Sequence, residues 1–218
     1  MPVRKIPKNY LVTTGRIARG PGQKPAGWEG RLEQDYLILL HDDPTVESFE
    51  EQPVKVPVPK GRQYTPDVLV KFRPDAHGVR RASELTEVKH STHFKKYEEK
   101  FAARFAAATA YAEERGWTFV KKDESHIRIP RLEVARFLRA FRRHTPTDDQ
   151  RSRLLHALTD LGGRSTSEQL LARVATDDDD LQALAPSLWS LVRADAILMN
   201  KDAALSPDVP LWLPGRVK

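Results

Sequence analysis

The chain has no cysteine. That excludes disulfides, thiolate nucleophiles and zinc–thiolate sites, and it fits a cytoplasmic protein. No apolar run approaches the length of a bilayer span, so no membrane association is expected. The N-terminus lacks the apolar centre of a secretory signal. No internal repeat is visible. Acid is missing from residues 2–26, which carry Arg4, Lys5, Lys8, Arg16, Arg19 and Lys24. Pro2, Pro7, Pro21, Pro25 and several glycines break any helix there. This stretch reads as a basic arm that contacts phosphates or, equally, as a solvated tail.

What is present is charge, unevenly spread. The 218 residues are 39% hydrophobic and 30% charged, with a formal net charge of +6. That is the composition of a soluble globular protein of one large or two small domains. Residues 145–218 hold 8 Lys/Arg against 11 Asp/Glu, a net −3, which leaves +9 on residues 1–144. A basic first part suggests a polyanionic partner. The acidic last part suggests a protein instead.

The stretch Tyr64–His90 organises the rest. Tyr64-Thr65-Pro66-Asp67-Val68-Leu69-Val70 and Leu85-Thr86-Glu87-Val88-Lys89 both look like strands, apolar alternation with β-branched residues. Alternation puts Glu87 and Lys89 on one face and Thr86 and Val88 on the other. If the strands are neighbours, Asp67, Glu87 and the Lys89 ammonium converge. Two carboxylates are suitable oxygen ligands for Mg²⁺, which promotes phosphodiester hydrolysis. A solvent-facing salt bridge between strands explains the same residues more simply.

Around this centre the elements alternate. Residues 27–41 read as a helix, with Trp28, Leu32, Tyr36, Leu39 and Leu40 on one stripe and Glu29 and Glu33 beside it. Val46–Glu50 and Val54–Val56 are extended. Arg73–Arg81 is an exposed loop. A helix runs from about Phe94 to Arg115 and is capped by Gly116. Trp117–Val120 is a strand and Leu132–Phe141 a helix. This is an α/β order with a mixed sheet. Past His144-Thr145-Pro146, helices are expected at Asp149–Leu161, Ser167–Val174 and Leu181–Arg193. Ile197–Met199 and Leu211–Leu213 then pair as a hairpin. Three helices and a β-wing are the layout of a winged helix. The expected domains are thus an arm at 1–26, an α/β domain at 27–144 and a winged-helix-like domain at 145–218.

These residues resemble a family. Arg31-Leu32-Glu33, Val46 with Phe49-Glu50-Glu51-Gln52-Pro53, Tyr64-Thr65-Pro66-Asp67 and Glu87-Val88-Lys89 look like TnsA, the endonuclease subunit of Tn7-like heteromeric transposases. The resemblance covers about residues 4–140. It implies a restriction-endonuclease-like core, with catalytic residues at Glu33, Asp67, Glu87 and Lys89 and metal ligands at Glu33, Asp67 and Glu87. Glu29 is the rival of Glu33. It further implies Mg²⁺ as cofactor, with Mn²⁺ able to substitute, and cleavage at the 5′ side of each transposon end. The implied partners are double-stranded DNA, a TnsB-type transposase that handles the 3′ ends, and a TnsC-type ATPase docked on the C-terminal domain.

Lys8, Arg16, Arg19, Lys24, Lys71, Lys95 and Lys96 are the candidate DNA contacts, the last three being more simply read as surface lysines. His90 and His93 are a candidate metal pair or two exposed histidines. Arg136, Arg139, Arg142 and Arg143 are a DNA-reading or a solvated helix face. Asp177-Asp178-Asp179-Asp180, ahead of the last helix, suit its dipole but repel phosphate, which favours a protein partner for this domain. The competing functions are a standalone restriction or repair nuclease of the same fold and a non-catalytic winged-helix regulator.

Overall fold

The computed structural model describes residues 14–17 and 26–215. The chain divides into two compact units, meeting between Arg128 and Ile129. Among the described residues no helix is long and apolar enough to cross a membrane.

In the first unit, β1 (Thr14–Ile17) pairs antiparallel with β2 (Ala26–Glu29). This corrects the reading of residues 27–41 as helix: strand pairing claims residues 27–29. Gly30, at φ 111, makes the turn into α1 (Arg31–Asp42), a conformation that favours glycine. Leu32, Glu33, Tyr36, Leu37 and Leu40 are buried at helical spacing, so this face, acid included, points inward. The helix stops at Asp43, whose extended backbone suits the following Pro44.

The main sheet has strand order β3-β6-β7-β8, built from β3 (Val46–Glu51), β6 (Val68–Phe72), β7 (Glu84–Val88) and β8 (Thr118–Lys122). The first two pairings are antiparallel and β7–β8 is parallel. The sheet is therefore mixed, as expected. A parallel neighbour needs a crossover, which α2 (Ser91–Lys96) and α3 (Glu98–Glu113) supply. The expected single helix is interrupted at Tyr97, which leaves helical geometry at φ −121, ψ 26. Gly116, at φ 66, ends the helix, and Trp117 N–H reaches back to the Ala112 carbonyl at 2.9 Å. The stretch expected as one strand from Tyr64 to Val70 is two. β5 (Arg62–Tyr64) forms a hairpin with β4 (Val56–Val58), and Pro66, with no N–H, separates it from β6. A short α4 (Glu124–Ile127) follows β8.

The second unit contains α5 (Pro130–Ala140), α6 (Asp148–Asp160), β9 (Arg164–Thr166), α7 (Ser167–Val174), α8 (Asp178–Arg193), β10 (Leu198–Met199) and β11 (Pro210–Trp212). The sequence reading placed α5 in the first domain. Here Val134 and Leu138 of α5 are buried in one core with Leu154, Leu158, Leu170, Leu184, Leu188 and Leu211, so the helix goes with the second unit. Thr147 and Gln150 form a capping box on α6, Thr166 caps α7, and Asp177 caps α8. The expected hairpin of β10 and β11 is present, with β9 as an unforeseen third strand on β11. Leu211 is fully buried in the core of this unit.

Candidate active site

Asp67 sits where the chain enters β6, tied to a strand on each side. Its N–H donates to the Thr86 carbonyl at 3.0 Å, and its carbonyl accepts from Gln52 N–H at 2.7 Å. Its carboxylate Oδ2 accepts from Val88 N–H at 2.7 Å. One residue is thus fixed by β3's end and by β7. Along β7, Thr86 and Glu87 point oppositely, as alternation requires. The Thr86 hydroxyl lies 3.3 Å from that of Tyr36 on α1. Glu87 Oε2 accepts from the Tyr64 hydroxyl at 2.5 Å, and its Oε1 pairs with Lys89 Nζ. Lys89 prolongs the parallel ladder through its N–H to the Lys122 carbonyl at 3.1 Å.

Glu33 arrives from the first turn of α1. Its Oε2 accepts from Glu29 N–H at 2.5 Å, while its Oε1 is buried and receives no hydrogen bond. A cavity of about 380 Å³ is lined by Glu29, Glu33, Asp67, Glu87 and Lys89 together, with Gln52, Tyr64 and Arg104 on its walls. The structure therefore brings all four expected catalytic residues to one place. It also brings Glu29, from a strand rather than from the same helix.

The electrostatics follow from crowding acids in a buried space. Burial, then the neighbouring Glu29, raises Glu33 to about 7 against the pull of the Glu29 N–H. Burial and the Glu87 charge push Asp67 well above the usual carboxylate range. Burial works against the Lys89 ammonium, but Asp67 and Glu87 outweigh it and raise its pKa. Burial, then the Glu87 charge, raises the Tyr64 phenol, making it a firm donor to Glu87.

The donor set is all oxygen, which suits a hard cation such as Mg²⁺. A buried acceptor without a donor, on Glu33, and carboxylates driven toward protonation are what a site short of positive charge displays. Among the described residues, however, no three Asp, Glu or His side chains stand at metal-centre spacing. The reason is visible: Lys89 and Tyr64 hold both oxygens of Glu87, and Val88 N–H holds Asp67.

The other candidates lie elsewhere. Lys71 is exposed on β6, and Lys95 and Lys96 are exposed at the end of α2. Arg16 lies in β1, opposite Gly27. Lys8, Arg19 and Lys24 fall outside the described residues. His90 Nδ1 is 3.4 Å from Glu124 Oε2, and Ser91 donates to the same carboxylate through its N–H at 2.8 Å and its hydroxyl at 2.6 Å. The histidines belong to this turn rather than to the cavity. Tyr64 and Gln52 are the site residues that sequence reasoning gave no role. Their signal was their place in the motifs Glu51-Gln52-Pro53 and Tyr64-Thr65-Pro66-Asp67.

Comparison with known proteins bears on residues 43–124, which match the family model described as TnsA-like endonuclease N terminal. The match contains Asp67, Glu87 and Lys89 and stops short of Glu33. No curated protein matches the chain.

Proposed function

We propose, from the premise that residues 43–124 are a TnsA-like endonuclease N-terminal domain, that this protein is a Mg²⁺-dependent DNA endonuclease working inside a Tn7-like transposase and cutting the 5′ strand at each transposon end. The observation that carries the reading is the convergence of Glu33, Asp67, Glu87 and Lys89 on one cavity. The mixed sheet, with Asp67 at the entry to β6 and Glu87 on the neighbouring β7, supports a restriction-endonuclease-like core. Glu33, Asp67 and Glu87 would hold the cation. When bound, Mg²⁺ or Mn²⁺ supplies charge neutralisation at the scissile phosphate and lowers the pKa of water. Lys89 places a fixed positive charge beside the carboxylates, where charge develops on the phosphate. Tyr64, by donating to Glu87, keeps that carboxylate turned into the cavity. Strands hold this geometry better than loops would.

The second unit is the partner-binding half in this reading. Its order, helix–strand–helix–helix–hairpin from α6 to β11, is that of a winged helix. Asp177–Asp180 crown the N-terminus of its longest helix, so it is assigned to a TnsC-type ATPase, while the DNA and the TnsB-type transposase are engaged through the nuclease unit.

The test is strand cleavage by the full chain on DNA carrying the element's own ends. The chain is assayed with Mg²⁺ or Mn²⁺, alone and with the proteins encoded beside its gene. Efficient 5′-strand cutting should require those partners. Asp67→Ala should abolish it with an unchanged circular dichroism spectrum, and Lys89→Ala should do so while retaining most cation binding by calorimetry. Full cleavage by a folded Asp67→Ala protein would remove the site, and vigorous cutting by the chain alone would make it a standalone nuclease.

A further inference from the structure

Gln52 stands just past the end of β3 in a conformation its residue type rarely adopts. Its φ is 46, and the other described non-glycine residues with positive φ, Lys60 and Asp195, are both exposed turn residues. Gln52 is only 4% exposed. A β-carbon held at positive φ costs about 1–3 kcal/mol and persists only where the surroundings enforce it. What enforces it here is the Gln52 N–H to the Asp67 carbonyl, at 2.7 Å. The result is an amide side chain on the wall of the cavity that Glu33, Asp67, Glu87 and Lys89 share. Its Oε1 is buried and has no hydrogen-bond partner. A buried carbonyl oxygen left bare costs about 1–3 kcal/mol. Strain and an unmet acceptor thus coincide at one residue, beside the proposed chemistry.

The chemistry of the acceptor narrows what it meets. A phosphate diester has no proton to give, so Oε1 does not bind the scissile group. None of the groups on the cavity wall donates to Oε1 in the structure, and Lys89 is paired with Glu87. Of the species the proposed reaction brings in, water is the one with a proton to give. Resting on the endonuclease reading above, we infer that Gln52 is a further catalytic residue: its Oε1 accepts a hydrogen bond from the attacking water and fixes the direction of that water's lone pair. In the step, the water oxygen forms the new bond to phosphorus and the bond from phosphorus to the leaving deoxyribose oxygen breaks. One water proton passes to solvent, the other stays in the hydrogen bond to Gln52, and the leaving oxygen takes its proton from solvent.

Gln52→Gly separates this role from backbone strain, because glycine accepts φ 46 without strain while the side chain and its amide are removed. Gln52→Asn, whose residue type tolerates positive φ, keeps an amide one methylene shorter. Single-turnover cleavage at saturating DNA is measured with the full chain and its neighbouring gene products. Thermal melts, and DNA affinity in Ca²⁺ by fluorescence anisotropy, accompany it. The maximal rate should fall about 10²-fold in Gln52→Gly and less in Gln52→Asn, with the melting temperature no lower than wild type and DNA affinity unchanged. A Gln52→Gly rate within twofold of wild type, while Asp67→Ala is dead, would overturn this role alone. Loss of DNA affinity in either folded variant would make Gln52 a substrate contact and overturn it as well. Should Gln52→Gly fail to fold, a wild-type rate in Gln52→Asn has the same consequence. If Asp67→Ala cuts like wild type, the endonuclease site itself falls and Gln52 with it.

Discussion

Glu33 illustrates what the site asks of a single residue. One carboxylate oxygen is satisfied by Glu29 N–H and the other is buried bare, and the pKa rises from 4.5 to about 7 through burial and the Glu29 charge. The folded state therefore holds a proton that the unfolded chain has released between those values. Stability contributed at this residue is fully present below pH 4.5, falls as pH rises toward about 7, and is flat above. Thermal melts from pH 4.5 to 8 should show Glu33→Gln gaining on wild type as pH rises. Added Mg²⁺ should narrow the gap at pH 8, since a ligand of the folded state stabilises it. A difference between the two proteins that stays constant with pH would count against this account. Asp67, Glu87 and Lys89 were legible because strand alternation fixes where such residues point. Glu29 against Glu33 was not legible, because the choice depends on a β2–β1 pairing that helical spacing cannot report. The roles of Tyr64 and Gln52 were not legible for a similar reason: their partners, Glu87 and Asp67, are distant in sequence and meet them only in the fold.

At the scale of elements, periodicity located the long segments and failed on the short ones. β9 and β11, of three residues each, and β10, of two, carry too little pattern to read. β10 and β11 were found from apolar runs; β9, Arg164-Ser165-Thr166, has none. The instructive miss is α5. As a helix it was legible, its apolar face marked by Leu132, Val134, Ala135 and Leu138, but sequence cannot say which core such a face fills. Val134 and Leu138 are buried with the leucines of α6, α7 and α8. Leu138→Ala should then destabilise the second unit by about 2–5 kcal/mol. A fragment of residues 145–218 should melt well below one of residues 129–218. Equal denaturant midpoints for the two fragments would return α5 to the first unit.

At the scale of the whole molecule, moving α5 also moves charge. Residues 145–218 carry a net −3, but residues 129–218 hold 13 Lys/Arg against 12 Asp/Glu, a net +1, because α5 and the residues just after it bring in Arg131, Arg136, Arg139, Arg142 and Arg143. Net charge alone no longer argues against DNA for this unit; the placement of the charges does. Arg136 pairs with Glu133 at 2.7 Å and Arg131 lies 3.6 Å from Asp202. Arg153 spans from α6 to grip Asp180 and the Val174 carbonyl. The N-terminus of α8 still presents Asp177, Asp178 and Asp179. Close approach of a phosphate backbone to that end would set like charge against like. In the function proposed above, residues 129–218 should therefore bind a TnsC-type ATPase and leave duplex DNA unbound at moderate salt. The full chain should bind DNA with an affinity that falls steeply as salt rises, the mark of phosphate contacts. Both are measurable by anisotropy across a salt series. Tight, salt-sensitive DNA binding by residues 129–218 without ATPase contact would put the winged-helix regulator ahead of the transposase subunit.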